Sequence, residues 1–269
     1  MTDTTRNPSP EFSGRLIAAD GVASEHRWRL AEEAPAAVLY NGQFFAVMMV
    51  TPADLEDFAV GFTVTEGIAA LNEIGEVRII ENADGYAINI KIAEARMAGI
   101  DSRRRVLTGR SGCGICGAQT MDAAVAPPRA VTGRAPGVEA IARAYRELPE
   151  RQVMNRVNHS THAAGFAGAD GAVAVVREDV GRHNALDKLI GALLRAGTDP
   201  RAGFVIVSSR CSMELVQKAA MAGVPFLASV SAPTALAARL AAAAGMGLAA
   251  HSQDGIMLFD PSTNLGPTT

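Results

Sequence analysis

VAVVREDVGRHNALDKLIGALLRAGTDPRAGFVIVSS, Val173–Ser209, is the stretch on which the fold turns. It opens with the apolar run Val173–Arg177, which predicts a buried strand. A charged junction follows. Asn184–Leu194 then places Leu186, Leu189, Ile190 and Leu193 on one side, which predicts an amphipathic helix that Asn184 can cap. Gly197 and Pro200 break the pattern before a second apolar strand, Phe204–Ser208. The same unit recurs twice downstream. Helix Ser212–Ala222, closed by Gly223, leads to strand Pro225–Val230; helix Pro233–Ala244, closed by Gly245, leads to short apolar runs near Leu248 and at Ile256–Phe259. Strands alternating with helices of this length imply parallel crossover units and an α/β fold.

The first half of the chain has a different rhythm. Ala37–Tyr40 and Gln43–Val50 flank Asn41-Gly42, a strong hairpin signal. Thr51-Pro52-Ala53-Asp54 reads as a helix start, with Thr51 as cap and Pro52 in the first turn, and Leu55, Phe58, Ala59 and Phe62 follow at helical spacing up to Gly67. Val77–Ile80 and Tyr86–Ile92 form a second strand pair across residues 82–85, and Val138–Leu148 is an amphipathic helix. The expected organisation is a polar, proline-containing disordered leader at 1–15, a smaller mixed α+β domain at 16–135 ending in a cysteine loop, and an α/β domain at 136–269.

Bulk properties narrow the function. Of 269 residues, 48% are hydrophobic and 20% charged, and the net charge of −3 argues against a broad electrostatic surface for nucleic acid or anionic membrane. The alanine-rich window Ala235–Ala250 is interrupted by Arg239 and two glycines, so it reads as a packed helix and not as a membrane span. Three cysteines and no export signal suggest a reducing, cytoplasmic setting.

Two of those cysteines sit in Arg110-Ser-Gly-Cys-Gly-Ile-Cys-Gly117. A Cys-x-x-Cys supports three chemistries. As a zinc half-site, Cys113 and Cys116 need a second ligand pair, and His159 with His162 is the compact one present, at long separation. As a redox dithiol, the first cysteine belongs at a helix start, which Gly112, Gly114 and Gly117 disfavour. As a sulfur carrier, the pair needs freedom to swing between a donor and an acceptor. The flanking glycines provide it, and Arg110 favours the attacking thiolate. Cys211 stands alone and reads as a buried structural thiol.

The other chemistry-bearing residues lie where strands give way to helices. Asp179, Arg182, His183, Asp187 and Lys188 crowd one such junction, and Ser209 with Arg210 occupies the next. Capping and solvated charge would account for them. In open α/β sheets, however, these junctions are where ligands bind, and helix-start N–H groups with arginine suit a phosphate. No Walker or dinucleotide fingerprint is present.

Taken in order, Met49-x-Thr-Pro52, Asp54-Leu-Glu-Asp57, Ala59-Val-Gly-Phe62, Glu66-Gly67, Cys113-Gly-Ile-Cys-Gly117, His162-Ala-Ala164, Asp179-Val-Gly-Arg-His-Asn-Ala-Leu-Asp-Lys188, Arg210, Glu214-Leu-Val-Gln-Lys-Ala219 and Ala222-Gly-Val-Pro225 through Val230-Ser-Ala-Pro-Thr234 make a specific pattern. It resembles the formate dehydrogenase accessory sulfurtransferase family, FdhD, over nearly the whole chain after the leader. The resemblance implies a three-layer, cytidine-deaminase-like domain without catalytic zinc or other structural metal, a smaller α+β domain, and a homodimer. It implies a sulfurtransferase that carries sulfur from a cysteine desulfurase to bis-molybdopterin guanine dinucleotide, the molybdenum cofactor, on behalf of formate dehydrogenase. On that resemblance Cys113 holds the persulfide and Cys116 assists or resolves it. The cofactor would meet Arg182, His183, Asp187, Lys188, Ser209, Arg210 and the segment His251, Ser252, Gln253, Asp254, Gly255 and Ile256. In that segment only Gly255 matches the family's aromatic-x-Arg-Gly-x-Arg run; the aromatic and both arginines are replaced.

Overall fold

In the computed structural model of the chain, which describes residues 6–100, 127–259 and 261, the Asn41-Gly42 turn joins β3 (Ala34–Tyr40) to β4 (Gln43–Val50). Both turn residues have positive φ, 50° and 85°, as a two-residue hairpin turn requires. With β5 (Ile74–Asn82) and β6 (Gly85–Ile92) they form a four-stranded sheet of order β4-β3-β6-β5. Ala34, Ala36, Val38 and Tyr40 alternate into its buried face, where α1 (Leu55–Thr65) covers them. Helix α1 begins later than the sequence suggested. Thr51 and Pro52 lie outside it, and Asp54, at φ 52°, precedes its first residue without a side-chain capping bond. Thr51 is used elsewhere, as shown below.

The larger unit has a six-stranded sheet of order β12-β11-β10-β9-β7-β8. Its strands are β7 (His162–Ala167), β8 (Val173–Asp179), β9 (Phe204–Val207), β10 (Phe226–Ser229), β11 (Gly247–Ser252) and β12 (Gly255–Phe259). Only β9, β10 and β11 run parallel to one another. β7 pairs antiparallel with both β8 and β9, and β12 pairs antiparallel with β11, so the sheet is mixed where uniform parallel crossovers were expected. The strand β7 went unforeseen because His162-Ala-Ala-Gly-Phe-Ala carries small residues and no alternating pattern.

Alternate side chains sort onto two faces. Val205, Val207 and Leu227 pack under α5 (Arg182–Arg195), α6 (Met213–Met221) and α7 (Ala235–Ala244). Phe204, Ile206, Phe226 and Ala228 pack under α3 (Val138–Arg151). The unit is thus helix, sheet, helix in three layers, consistent with the α/β class. Val131 also lies in this core and its N–H bonds Ala244, so the larger unit takes in chain ahead of residue 136. The short helices are α2 (Glu94–Met97) and α4 (Asn155–Asn158).

Glu11–Ile17 was expected to fall partly in a disordered leader. It is instead strand β1, paired antiparallel with β2 (Ala23–Arg29). Every residue of this hairpin is exposed, so no burial pattern could announce it. Its register puts Phe12, Trp28 and Leu16 on one face, and Trp28 meets His159 edge-on at 5.8 Å. Among the described residues no helix is long and apolar enough to cross a membrane.

The two units meet through α1 and α5. Helix α1 is enclosed on nearly every side, with the four-stranded sheet behind it and α5 in front. The contact is polar at both ends. Asp57 on α1 takes Arg177 at 2.8 Å and also Arg195, while Lys218 on α6 bonds Asp187 at 2.8 Å, Thr65 at 3.1 Å and Glu66 at 2.8 Å.

Candidate functional site

The candidate site is the edge of the six-stranded sheet at which β8, β9, β10 and β11 end and β7 begins. Antiparallel pairing of His162 with Asp179 brings the start of β7 and the end of β8 together. The junctions expected to bind a ligand all open here, as expected for a switch in strand direction of an α/β sheet.

The β8–α5 junction carries Arg182 and His183, both half-buried. No side chain caps the start of α5, and Gly181 is its N-cap. The expected cap, Asn184, lies inside the helix instead and donates to the Met49 carbonyl at 2.7 Å and to Asp179 at 3.0 Å. His183 reaches the next junction: its Nε2 lies 3.4 Å from Ser212 Oγ and 3.9 Å from Glu214. At that β9–α6 junction Arg210 is exposed, and Ser209 is buried with its hydroxyl donated to the Arg210 carbonyl at 3.0 Å. Ser208 locks the junction to β7 by accepting the Ala163 N–H at 2.8 Å. Thr234 N–H bonds the Cys211 carbonyl at 3.0 Å, tying in the β10–α7 junction.

Electrostatics at this edge favour anions. Arg182 and Arg210 supply guanidinium donors, and burial, then the Arg182 charge, lower the pKa of His162, so its imidazole is neutral at pH 7. Further along, Tyr145 on α3 is almost enclosed, donates its hydroxyl to the Ser229 carbonyl at 2.9 Å, and meets the His251 ring at 5.2 Å and 71°. Burial raises the pKa of the Tyr145 hydroxyl, so it stays a neutral donor. The His251–Ile256 segment forms the exposed β11–β12 hairpin, with His251 opposite Ile256 and Ser252 opposite Gly255. β8 and β11 lie four strand spacings apart, roughly 19 Å across the sheet, so the junction with Arg182 and the hairpin with His251 are at separate points of the edge. Only an elongated ligand could touch both.

Asp187 and Lys188 are placed differently from the other residues expected to bind cofactor. Both are fully enclosed between the units. Lys188 pairs with Asp179 at 2.7 Å and bonds the Thr51 carbonyl at 2.9 Å, while Asp187 is held by Lys218 and by the Thr65 hydroxyl at 2.6 Å. Neither side chain is exposed at the sheet edge in this arrangement. Sequence reasoning weighed His162 only as half of a zinc pair and as part of the family pattern, misread the role of Thr51, and passed over Tyr145. Thr51 looked like a helix cap, and Tyr145 lies on a helix remote in sequence from every junction.

Cys113 and Cys116 lie outside the described residues. Cys211 is buried, its pKa pushed up to about 12 by burial, so it is a structural thiol and a poor nucleophile.

Comparison with known proteins agrees with this architecture. The FdhD/NarQ family model matches residues 31–259. "Sulfur carrier protein FdhD" of Xanthomonas campestris pv. campestris (strain B100) is 49% identical over 227 residues, 84% of this chain and 81% of that protein. The protein of the same name from Bordetella petrii is 47% identical over 215 residues, 79% of this chain and 77% of its own. A crystal structure from Desulfotalea psychrophila, of a protein assigned as a formate dehydrogenase accessory protein, superposes with a TM-score of 0.74 at 25% identity, covering 94% of this chain and 98% of the other. With the match spanning both units and all the junctions of the sheet edge, the chain belongs to the FdhD/NarQ family.

Proposed function

We propose that this chain is a sulfur carrier that serves formate dehydrogenase. The observation that carries the reading is the 47–49% identity to two proteins named sulfur carriers, over about four fifths of this chain, in a sequence that keeps the glycine-flanked Cys113 and Cys116. Cys113 is the acceptor. Its thiolate attacks the terminal sulfur of a persulfide on a cysteine desulfurase, a new S–S bond forms on Cys113, and the desulfurase cysteine leaves as a thiolate. Cys116 assists that step or resolves its product.

The substrate that receives the sulfur is the molybdenum cofactor, bis-molybdopterin guanine dinucleotide. The donor set at the sheet edge fits the organic part of such a molecule. Arg182, Arg210 and the uncapped starts of α5 and α6 suit phosphates, and Tyr145 with His251 offers an aromatic pair to a planar base. The four strand spacings between β8 and β11, roughly 19 Å, suit an extended ligand. Ser209 and the remaining residues of the 252–256 segment shape this edge, while Asp187 and Lys188 act behind it by holding the units together. The cytidine-deaminase-like ancestry of the larger unit, a homodimeric assembly and a cytoplasmic location belong to the same proposal.

Peptide mass spectrometry after incubation with a cysteine desulfurase and cysteine tests it. The expected product is a sulfur adduct on Cys113, and a Cys113→Ala variant should no longer restore formate dehydrogenase activity in a strain lacking the carrier. A second reading, a cofactor chaperone that transfers no sulfur, draws on the same anion-suited edge; full restoration by Cys113→Ala would favour it.

A further inference from the structure

The polar contact between the two units also frames the loop that carries Arg182 and His183. Asp179 accepts bonds on both carboxylate oxygens. Oδ1 takes the Gly181 N–H at 2.8 Å and the Asn184 amide at 3.0 Å; Oδ2 takes the Thr51 N–H at 2.9 Å and the Lys188 ammonium at 2.7 Å. Thr51, from the small unit, bonds the larger one through its N–H, its hydroxyl oxygen and its carbonyl, the last of which also accepts the Ala53 N–H at 2.8 Å. Its N–H goes to Asp179, its hydroxyl accepts the Val180 N–H at 3.0 Å, and its carbonyl accepts from Lys188 at 2.9 Å. Asn184 adds a bond to the Met49 carbonyl, two residues further back. Thr51, Asp179 and Lys188 are all completely buried, so the bonds among these three are shielded from water, while those to Val180, Gly181 and Met49 are part-buried.

The pattern of anchors is specific. The backbone is fixed at Val180 and Gly181 on one side and by the Asn184 side chain on the other. Arg182 and His183 are the two residues between those anchors. A carboxylate with four donors and a threonine bonded to Asp179, Val180 and Lys188 hold the turn from β8 into the first residues of α5 in place. Part of this anchoring comes from the small unit, through Thr51 and the Met49 carbonyl.

We propose that Thr51, acting with Asp179, is a positioning residue that sets Arg182 and His183 for anion recognition, so that the sheet edge binds its ligand only while the small unit is docked. This rests on the anion-binding part of the proposed function and deepens it: the small unit becomes part of the ligand site through one threonine, without touching the ligand.

The experiment measures binding of inorganic pyrophosphate to the full chain by calorimetry. Wild type, Arg182→Ala, Thr51→Val, Thr51→Ser and Thr63→Val are compared at a temperature where each is folded by near-ultraviolet circular dichroism. Thr51→Val keeps size and shape but leaves the part-buried Val180 N–H without its acceptor; it should bind about tenfold more weakly. Thr51→Ser keeps the hydroxyl and should restore wild-type affinity. Thr63→Val removes a buried hydroxyl that bonds Ala59 and Tyr40 inside the small unit, so it should lower the melting temperature and leave affinity unchanged. Should Thr51→Val not fold, Asn184→Ala cuts the second anchor and carries the same expectation. Arg182→Ala weakening binding while Thr51→Val and Asn184→Ala bind as wild type would overturn the positioning role and leave the anion site standing. Thr63→Val weakening binding as much as Thr51→Val would overturn it too, as a mere effect of stability. Pyrophosphate binding that is absent, or indifferent to Arg182→Ala, would sink the anion reading and this inference together.

Discussion

Gly61 on α1 and Gly191 on α5 let the two helices touch backbone to backbone. A Cβ added at Gly61 would lie 1.7 Å from the Asp187 carbonyl oxygen, and one at Gly191 would lie 1.8 Å from the Asp57 carbonyl oxygen. Each glycine therefore opens the surface into which the opposite helix sinks, and the ion pairs at Asp57 and Lys218 close on either side. A methyl group at either point must push the helices apart. Gly191→Ala is expected to cost about 3 kcal/mol or more in urea unfolding, well beyond the helix-propensity gain of the substitution. A loss below 1 kcal/mol would mean that the units tolerate separation.

Breaking the deepest ion pair should be equally visible. Lys188→Met leaves Asp179 buried with its charge uncompensated, a loss of about 3–5 kcal/mol. Pairing it with Asp179→Leu removes that orphan charge, so the double variant should be less destabilised than the sum of the single ones, as a double-mutant cycle will report. Simple additivity would argue that the pair does not couple.

Asp187 gives the interface a pH signature. Burial outweighs the neighbouring Lys218 and lifts its pKa from 3.8 to about 6. Between these values the folded state holds a proton that the unfolded chain has released, so stability falls as pH rises through the window. The full effect is about 3 kcal/mol, present below pH 4 and lost above about pH 6. Denaturant titrations across that range should show this slope in wild type and a flatter one in Asp187→Asn. The opposite slope difference would show that Lys218 holds Asp187 ionised.

Thiol reactivity should divide the cysteines. Cys211, buried and with its pKa near 12, is expected to stay unlabelled by iodoacetamide at pH 7.5 until the chain is denatured. Peptide mapping reads the result directly. Rapid native labelling of Cys211 would remove the structural assignment and require a second reactive thiol.

Much of the fold was readable from local pattern. The Asn41-Gly42 hairpin, the β5–β6 pair, and the helices at 138, 182, 213 and 235 all declared themselves through turn residues and periodicity. What escaped was whatever lacked a local signal: the exposed β1–β2 hairpin, the small-residue strand β7, and the antiparallel direction of β7 and β12. For the candidate site the division is similar. Arg182, His183, Ser209 and Arg210 sit at junctions that the strand-helix rhythm places on one sheet edge; His251–Ile256, singled out only by the family resemblance, is the β11–β12 hairpin.

The sequence by itself determined that this is an α/β chain, where its strands give way to helices, and that two glycine-flanked thiols stand apart from a lone, apolar one. Only the tertiary structure decided which charges in Glu178–Lys188 face the edge and which face the small unit. Periodicity records that one side of a helix is polar. It does not record that Gly61 and Gly191 let a second helix close over that side, enclosing Asp187 and Lys188 and turning Thr51 from a helix cap into an anchor of the Arg182 loop.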